Sequence, residues 1–423
     1  MCARTIVAAP VLAAPPTAHQ LGSRGYRRVT AALCCAGVAS FAAMYCTQAL
    51  LPALSSYYHI SPATSALTIS LTTGMLAVSI VPASVLSERY GRVRVMVISG
   101  IAASVLGLLL PFSPTLGVLL VGRALQGVAL AGIPAVAMAF LAEEVHACAL
   151  GSAMGRYIAG ATVGGCLGRI IPATVLGVSN WRIALLVCSA ATLVATLVFA
   201  LLVPRSQFFT PKTVSIGATA RSILAHLRKP VLLKLFALGF MLMGGFVTVY
   251  NYLGYRLAAA PFGLAPSAVG LLFLLYLVGT GTSVMAGRLA DRRGRMLVLG
   301  ASLPVTGAGL LMTLPAKLPV IVLGAGVFAG GFFAAYTVAS GWVGAVAERD
   351  RAEASALYLF SYYLGGSAAG AFGGLAYGAG GWPDTVCFVA ILLVLAVLIV
   401  VSLVRATASG TGPARSLAEY PAS

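Results

Sequence analysis

Arg123 and Arg169 lie well inside two long apolar stretches, residues 115–141 and 151–176, where side chains that carry a fixed charge are rare. All nine acidic residues, Glu88, Glu143, Glu144, Asp291, Glu348, Asp350, Glu353, Asp384 and Glu419, fall in loops, at stretch ends or in the tail. A guanidinium held at membrane depth costs about 2.5–3.5 kcal/mol or more unless it is satisfied. Measured from Gly127 and Gly164 with the helical rise, both arginines sit roughly 6–8 Å to the same side of centre. Two cations at one level without a buried acid call for a negatively polarised partner: a solute carboxylate, a phosphate, or helix carbonyls. Arg123 matches Gly326 in the second half, so the repeated scaffold does not require its charge. Tyr250, Asn251 and Tyr362 add rings and polar tips suited to a mixed cavity. Gln48 and Tyr45 are further candidates, whereas Tyr255 and Tyr358 read as residues of the interfacial belt.

A second constellation is charged and repeated. SVLSERYGR begins at Ser84 and GRLADRRGR at Gly287, 203 positions on. Glu88, Arg89, Gly91 and Arg92 thereby match Asp291, Arg292, Gly294 and Arg295. Glu88 and Arg92 are spaced i, i+4, as are Asp291 and Arg295, so each pair can share a helical face or bridge to a neighbouring helix end. Glu143, Glu144, Glu348 and Asp350 are the acids that can meet these arginines. Contacts of this kind hold one conformation and break in another, which predicts a gating role for all eight motif residues.

The elements that position these groups are set by composition. Only 9% of the 423 residues are charged, against about 25% in soluble domains, and the mean hydropathy is +0.99. A helix of roughly 20 apolar residues crosses the hydrocarbon with its backbone satisfied internally. Twelve stretches qualify, near 29–53, 64–86, 94–113, 115–141, 151–176 and 182–203, then 232–256, 267–288, 296–315, 318–344, 353–378 and 384–404. The expectation is an all-α membrane protein of twelve transmembrane helices in two pseudo-symmetric six-helix bundles, 29–203 and 231–405. A disordered tail (1–28), a basic linker (204–230) and a second tail (406–423) complete the chain. Within the linker, SILAHLRKP suits an amphipathic helix at the membrane surface.

Twenty of the 27 lysines and arginines fall on one side of this arrangement, which predicts that both termini are cytoplasmic. The repeat continues beyond the charged motif: GSAM at Gly151 matches ASAL at Ala354, and Gly127 matches Gly330. Two parallel halves imply a pseudo-twofold axis along the membrane normal, with a site between the halves near the midplane. Glycines on the fifth and eleventh stretches predict close helix approach.

The net charge of +18 is dispersed in short loops and lacks the gathered basic face that nucleic acid requires. The eight cysteines show no metal-ligand spacing, and neither a nucleophile with a base nor a phosphate loop is present, so no metal, no cofactor and no enzymatic activity are expected.

GRLADRRGR resembles the loop motif G-x-L-a-D-r-x-G-r of the major facilitator superfamily, and VGRALQG from Val121 resembles that family's R-x-x-q-G signature. Ser84 and Glu88 depart from the loop motif in the first half, and Gly165 and Arg169 depart from the family's export-associated pattern on the fifth helix. GFMLMGGFVTVYNYLGYRL from Gly239 and SALYLFSYYLGGSAAG from Ser355 are similar to the YnfM-type permeases, inner-membrane carriers grouped with drug and metabolite exporters. The resemblance implies a monomeric secondary transporter of the bacterial inner membrane, whose partners are a small-molecule solute, the lipid bilayer and protons. It implies efflux as the direction, with uptake of an anionic or neutral metabolite, or solute sensing, as alternatives.

Overall fold

The computed structural model describes residues 19–206, 209, 216–347 and 351–408. Within them the chain is a bundle of long apolar helices: α1 (Arg24–Tyr58), α2 (Pro62–Tyr90), α3 (Arg92–Phe112), α4 (Leu116–Glu144), α5 (Cys148–Leu176) and α6 (Trp181–Leu202). The second half holds α7 (Pro230–Ala258), α8 (Pro266–Arg293), α9 (Arg295–Met312) and α10 (Leu318–Val346). The helical run Arg351–Ala408 is two spans, because Gly380 (φ −137°, ψ 17°) and Gly381 (φ 71°, ψ −143°) leave helical geometry. They divide it into α11 (351–379) and α12 (382–408), making twelve spans. Helix α1 begins at Arg24, five residues before the expected start, because Ser23 caps it by accepting from the Tyr26 amide. Part of the linker, Ile216–Leu227, is helical.

An even number of spans puts Arg24 and the end of α12 on one face of the bundle, termed here the terminal face; the opposite face is distal. The turns between α2 and α3 and between α8 and α9 lie on the terminal face. Gly91 (φ 100°, ψ 140°) and Gly294 (φ 89°, ψ 145°) occupy them with nearly the same left-handed backbone. The repeat read in the sequence is thus a repeat in conformation, and the positive φ explains the matched glycines.

Each half is built around a glycine crossing. Gly160, Gly164 and Gly168 of α5 face the carbonyls of Cys34, Val38 and Ala42 of α1, so close that a Cβ on any of them would overlap a backbone oxygen. In the second half, Gly365 of α11 meets the Phe240 backbone of α7 in the same manner, and Gly244 of α7 packs against the Ala369 Cβ of α11. These are the close approaches expected from small residues at four-residue spacing. Gly164→Val is expected to force α1 from α5 at a cost of about 1–3 kcal/mol, read as a lower unfolding temperature in detergent, while Gly155→Val, where no atom lies within 4 Å, leaves it unchanged.

Helix α1 is interrupted just where it passes the centre of the molecule. Regular α-helix stops at Tyr45, a short 3-10 turn covers Gln48–Leu50, and α-helix resumes at Leu51. Pro52 accounts for the break, since it lacks an N–H and its ring crowds the carbonyl four residues earlier.

Candidate functional site

The break in α1 leaves carbonyls to be satisfied, and Arg123 of α4 satisfies them. Its guanidinium donates to the carbonyls of Ala43 (3.0 Å), Met44 (2.7 Å) and Thr68 (2.9 Å), and to the Gln126 side-chain oxygen (2.5 Å). Gln126 passes the contact on to the Ala103 carbonyl of α3. Arg123 is 0% exposed. Of the partners weighed for this residue, helix carbonyls are the ones it has. Its donors are spent inside the first half, holding the broken segment of α1 against α2 and α4.

Arg169 differs in what surrounds it. It donates to the Gln48 side-chain oxygen and to the Gly165 carbonyl. Three rings surround its guanidinium carbon, with centroids at 4.0 Å for Tyr45, 4.8 Å for Tyr276 and 5.0 Å for Phe273. Tyr276 and Phe273 belong to α8, so a cation from the first half sits against aromatics of the second. Its partners are neutral, although the residue is only 2% exposed.

Gln48 then joins the halves directly, its amide donating to the Asn251 side-chain oxygen at 2.6 Å. These residues are separated by 203 positions, the offset of the repeat, and so are equivalent residues of α1 and α7. Two equivalent positions meet each other only on the symmetry axis. The pair thereby marks the pseudo-twofold axis, and Arg169 lies one hydrogen bond from it.

Tyr250, next to Asn251, donates to the Ala325 carbonyl and packs on Phe246, Phe273 and Tyr276. With Gln48 and Phe273 it lines a cavity of about 20 Å³, room for roughly one water. Four of the six cavity candidates, Arg169, Gln48, Asn251 and Tyr250, thus form one cluster. Tyr362 stands apart, in a tyrosine row with Tyr336, Tyr358 and Tyr363. Tyr276 and Phe273 were not anticipated, although their i, i+3 spacing on α8 puts both on one face. Tyr255 and Tyr358 are not belt residues. The Tyr255 hydroxyl bonds Ser55 and the Leu51 carbonyl across the halves, and Tyr358 is buried.

Five hydrogen bonds join the halves among the described residues: Gln48 to Asn251, Ser55 with Tyr255, Tyr255 to Leu51, Ser367 to Ser70, and Cys166 to Phe273. Counted along their spans, all lie from the middle to the distal end. Gly270 and Ala173 touch closely near that end, whereas Gly155, toward the terminal face of α5, and Gly281, at the middle of α8, have no atom within 4 Å of where a Cβ would stand. The halves are sealed distally.

The repeated motif is unequally engaged. Arg92 donates to Glu143 of α4 through Nε (3.1 Å) and Nη2 (2.9 Å), to the Ser87 hydroxyl (2.6 Å), and faces Glu88 at 3.6 Å. Asp291 makes no ion pair among the described residues and is exposed, as are Arg89 and Arg292. Glu348 and Asp350, the acids expected to meet the second-half arginines, lie outside the described residues.

Comparison with known proteins agrees with this architecture. The Major Facilitator Superfamily model matches residues 33–260 and 252–423. The inner membrane transport protein YnfM of Escherichia coli is 42% identical over 378 residues, 89% of this chain and 91% of its own length. The uncharacterized MFS-type transporter YybF of Bacillus subtilis is 40% identical over 375 residues, 89% of this chain and 93% of its own. A bacterial homolog of the human lysosomal transporter Spinster, solved in an inward-facing and occupied conformation, has the same fold at a TM-score of 0.72 and 15% identity, covering 91% of this chain and 98% of that one. Two glycine-crossed bundles of six spans meeting on an axis, and relatives that are named transporters, lead to one assignment: the chain is a multi-pass membrane transporter and belongs to the Major Facilitator Superfamily.

Proposed function

We propose that the protein exports a small organic solute across the bacterial inner membrane by alternating access, as a secondary active carrier. The observation that carries this reading is the axial pair Gln48–Asn251 with Arg169 bonded to it: a polar site shared by both halves, with the hydrogen bonds between the halves among the described residues running from it to the distal end. The terminal face carries the loops richest in lysine and arginine, so it is assigned to the cytoplasm. With the hydrogen bonds between the halves placed from the middle to the distal end, the conformation is read as one closed toward the outside. The six acids among the described residues lie near helix ends, so proton coupling is assigned to the ionisation of the solute itself or to Glu88 and Asp291.

Accumulation of a labelled solute panel in cells, with and without a protonophore, tests the reading. Export predicts lower accumulation in expressing cells and its recovery with protonophore. Higher accumulation in expressing cells establishes uptake instead, and an absence of flux for every solute in both cells and proteoliposomes refutes transport.

The charged motif is proposed to act as the gating latch on the cytoplasmic face. Arg92, bridging the α2–α3 turn to Glu143 of α4, is its engaged half in this conformation. Asp291→Asn removes a charge from the second half, and Gly294→Val forces a β-branched residue to φ 89°. Each is expected to slow proteoliposome flux about five- to thirtyfold, the equivalent of about 1–2 kcal/mol, with membrane insertion intact. Unchanged flux in both variants rules the latch out.

A further inference from the structure

We propose that the exported solute is a monocarboxylate with a planar apolar body, and that its carboxylate displaces the Gln48 oxygen from Arg169, breaking the Gln48–Asn251 hydrogen bond and so releasing the distal seal. This rests on the transporter reading above.

Charge sets the class. Arg169 is buried, and its partners are an amide oxygen, a backbone carbonyl and three rings. None of them carries a formal charge. A guanidinium has five donors in a rigid fork that matches a carboxylate bidentately, and such charge-assisted bonds are roughly twice as strong as neutral ones. A carboxylate therefore outcompetes the Gln48 amide for the same donors. Arg169 supplies one positive charge at the axis, and Arg123, whose donors are spent on oxygens of the first half, offers no hydrogen bond to a second negative charge, which favours a monocarboxylate over a phosphate monoester dianion. Two further polar groups are left waiting. Asn251 Nδ2 and the Tyr276 hydroxyl have no hydrogen-bond partner, although Asn251 is 1% and Tyr276 5% exposed. Buried polar atoms of this kind are normally satisfied. Tyr276 already stands over Arg169, so its hydroxyl is at hand for an anion bound there. The rings of Tyr45, Phe273 and Tyr276 offer flat apolar surface for the solute body.

The linkage follows from a single side chain having two partners. Gln48 gives its oxygen to Arg169 in the first half and its N–H to Asn251 in the second. A solute that takes the Arg169 donors leaves Gln48 held at one end only, and the axial bond goes with it. The remaining bonds between the halves are neutral hydrogen bonds of hydroxyls and a thiol with backbone or side-chain oxygens. Because the cavity beside the cluster holds only about one water, the solute body enters only as the rings part. Binding and opening are thereby one event, and the solute binds the opened form better than the sealed one, which is what a population shift requires.

Benzoate is the probe, with benzamide as its neutral isostere and phenyl phosphate as the dianion. Spin labels on Val178→Cys and Ala265→Cys, exposed positions of the two halves at the distal face, report the seal in purified protein whose Cys2, Cys148 and Cys387 are replaced by serine. Benzoate is expected to bind at least about thirtyfold more tightly than benzamide or phenyl phosphate and to lengthen the distance between the labels. Gln48→Met removes both the competitor for Arg169 and the axial bond. It is expected to bind benzoate about tenfold more tightly while its label distance is already long and no longer responds, a pair of changes that a folding defect does not produce. Equal binding of benzoate and benzamide overturns the anion assignment. Tight benzoate binding with an unmoved distance overturns the relay. Neither result touches the transporter reading, which fails only if no solute of the panel is moved.

Discussion

Arg123→Leu is expected to reduce the yield of folded, monodisperse protein severely and to lower its unfolding temperature in detergent, with any transport loss following from the loss of protein. The guanidinium is the donor to three backbone carbonyls around the break in α1. Ala43 and Thr68 keep other contacts, from the Cys46 thiol and the Thr72 hydroxyl, but these are single and local. Each buried acceptor left unsatisfied costs about 1–3 kcal/mol. Against this, removing a buried charge recovers about 2.5–3.5 kcal/mol of insertion cost. Four acceptors, the three carbonyls and the Gln126 oxygen, lose a charged donor, about 4–12 kcal/mol before the remaining contacts are counted, so the net is a destabilisation, concentrated on the segment that presents Tyr45 and Gln48. Arg123→Lys keeps the charge but not the fork, and one ammonium does not span carbonyls on α1 and α2 as the guanidinium does. It is expected to fall between the wild type and Arg123→Leu. Folded protein at wild-type level with Arg123→Leu would return this residue to the solute site.

The contrast between the two arginines shows where sequence reasoning stops. Helical rise puts both at one depth, and neither makes an ion pair among the described residues. Depth carries no azimuth, however, and the direction of each side chain depends on a helix break caused by Pro52 that apolar run-length does not reveal. The twelve spans, the doubled motif and the glycine crossings were legible because each rests on a local rule: length for a span, positive φ for Gly91 and Gly294, absence of a Cβ for Gly160, Gly164 and Gly168. The axial pair was within reach and was missed. Gln48 and Asn251 are polar residues at matched positions of the repeat, and in a molecule with a pseudo-twofold axis, matched polar positions on the first helix of each half are the ones able to meet. The ring of Tyr45, Phe273 and Tyr276 around Arg169 was beyond reach, because it depends on which face α8 turns toward α5.

Arg169→Leu is expected to leave folding intact and to reduce flux of the transported solute by about a hundredfold or more. The two expectations follow from the same contacts. On the stability side, leucine recovers the insertion cost of a buried cation, about 2.5–3.5 kcal/mol, and forfeits ring contacts worth about 0.5–2 kcal/mol each, together with bonds to Gln48 and Gly165. At the lower end these amounts cancel, three rings giving about 1.5 kcal/mol and the Gln48 oxygen about 1 kcal/mol, and Gly165 remains in an α-helix where its carbonyl has a backbone donor. On the transport side, a charged group's hydrogen bonds are worth about 1.5–3 kcal/mol each, so losing two to a bound solute corresponds to about a hundredfold at the lower end. Arg169→Lys places a compact ammonium where a planar cation lay against three rings and bonded two oxygens, and flux is expected to remain at least about tenfold down. Thermal unfolding and proteoliposome flux measured on the same preparations separate the outcomes. A variant that folds as the wild type does and carries nothing marks Arg169 as the residue that meets the solute. A variant that folds and carries at the wild-type rate would leave the buried cation as packing alone, and the site between the halves would have to be sought among the tyrosines of α10 and α11.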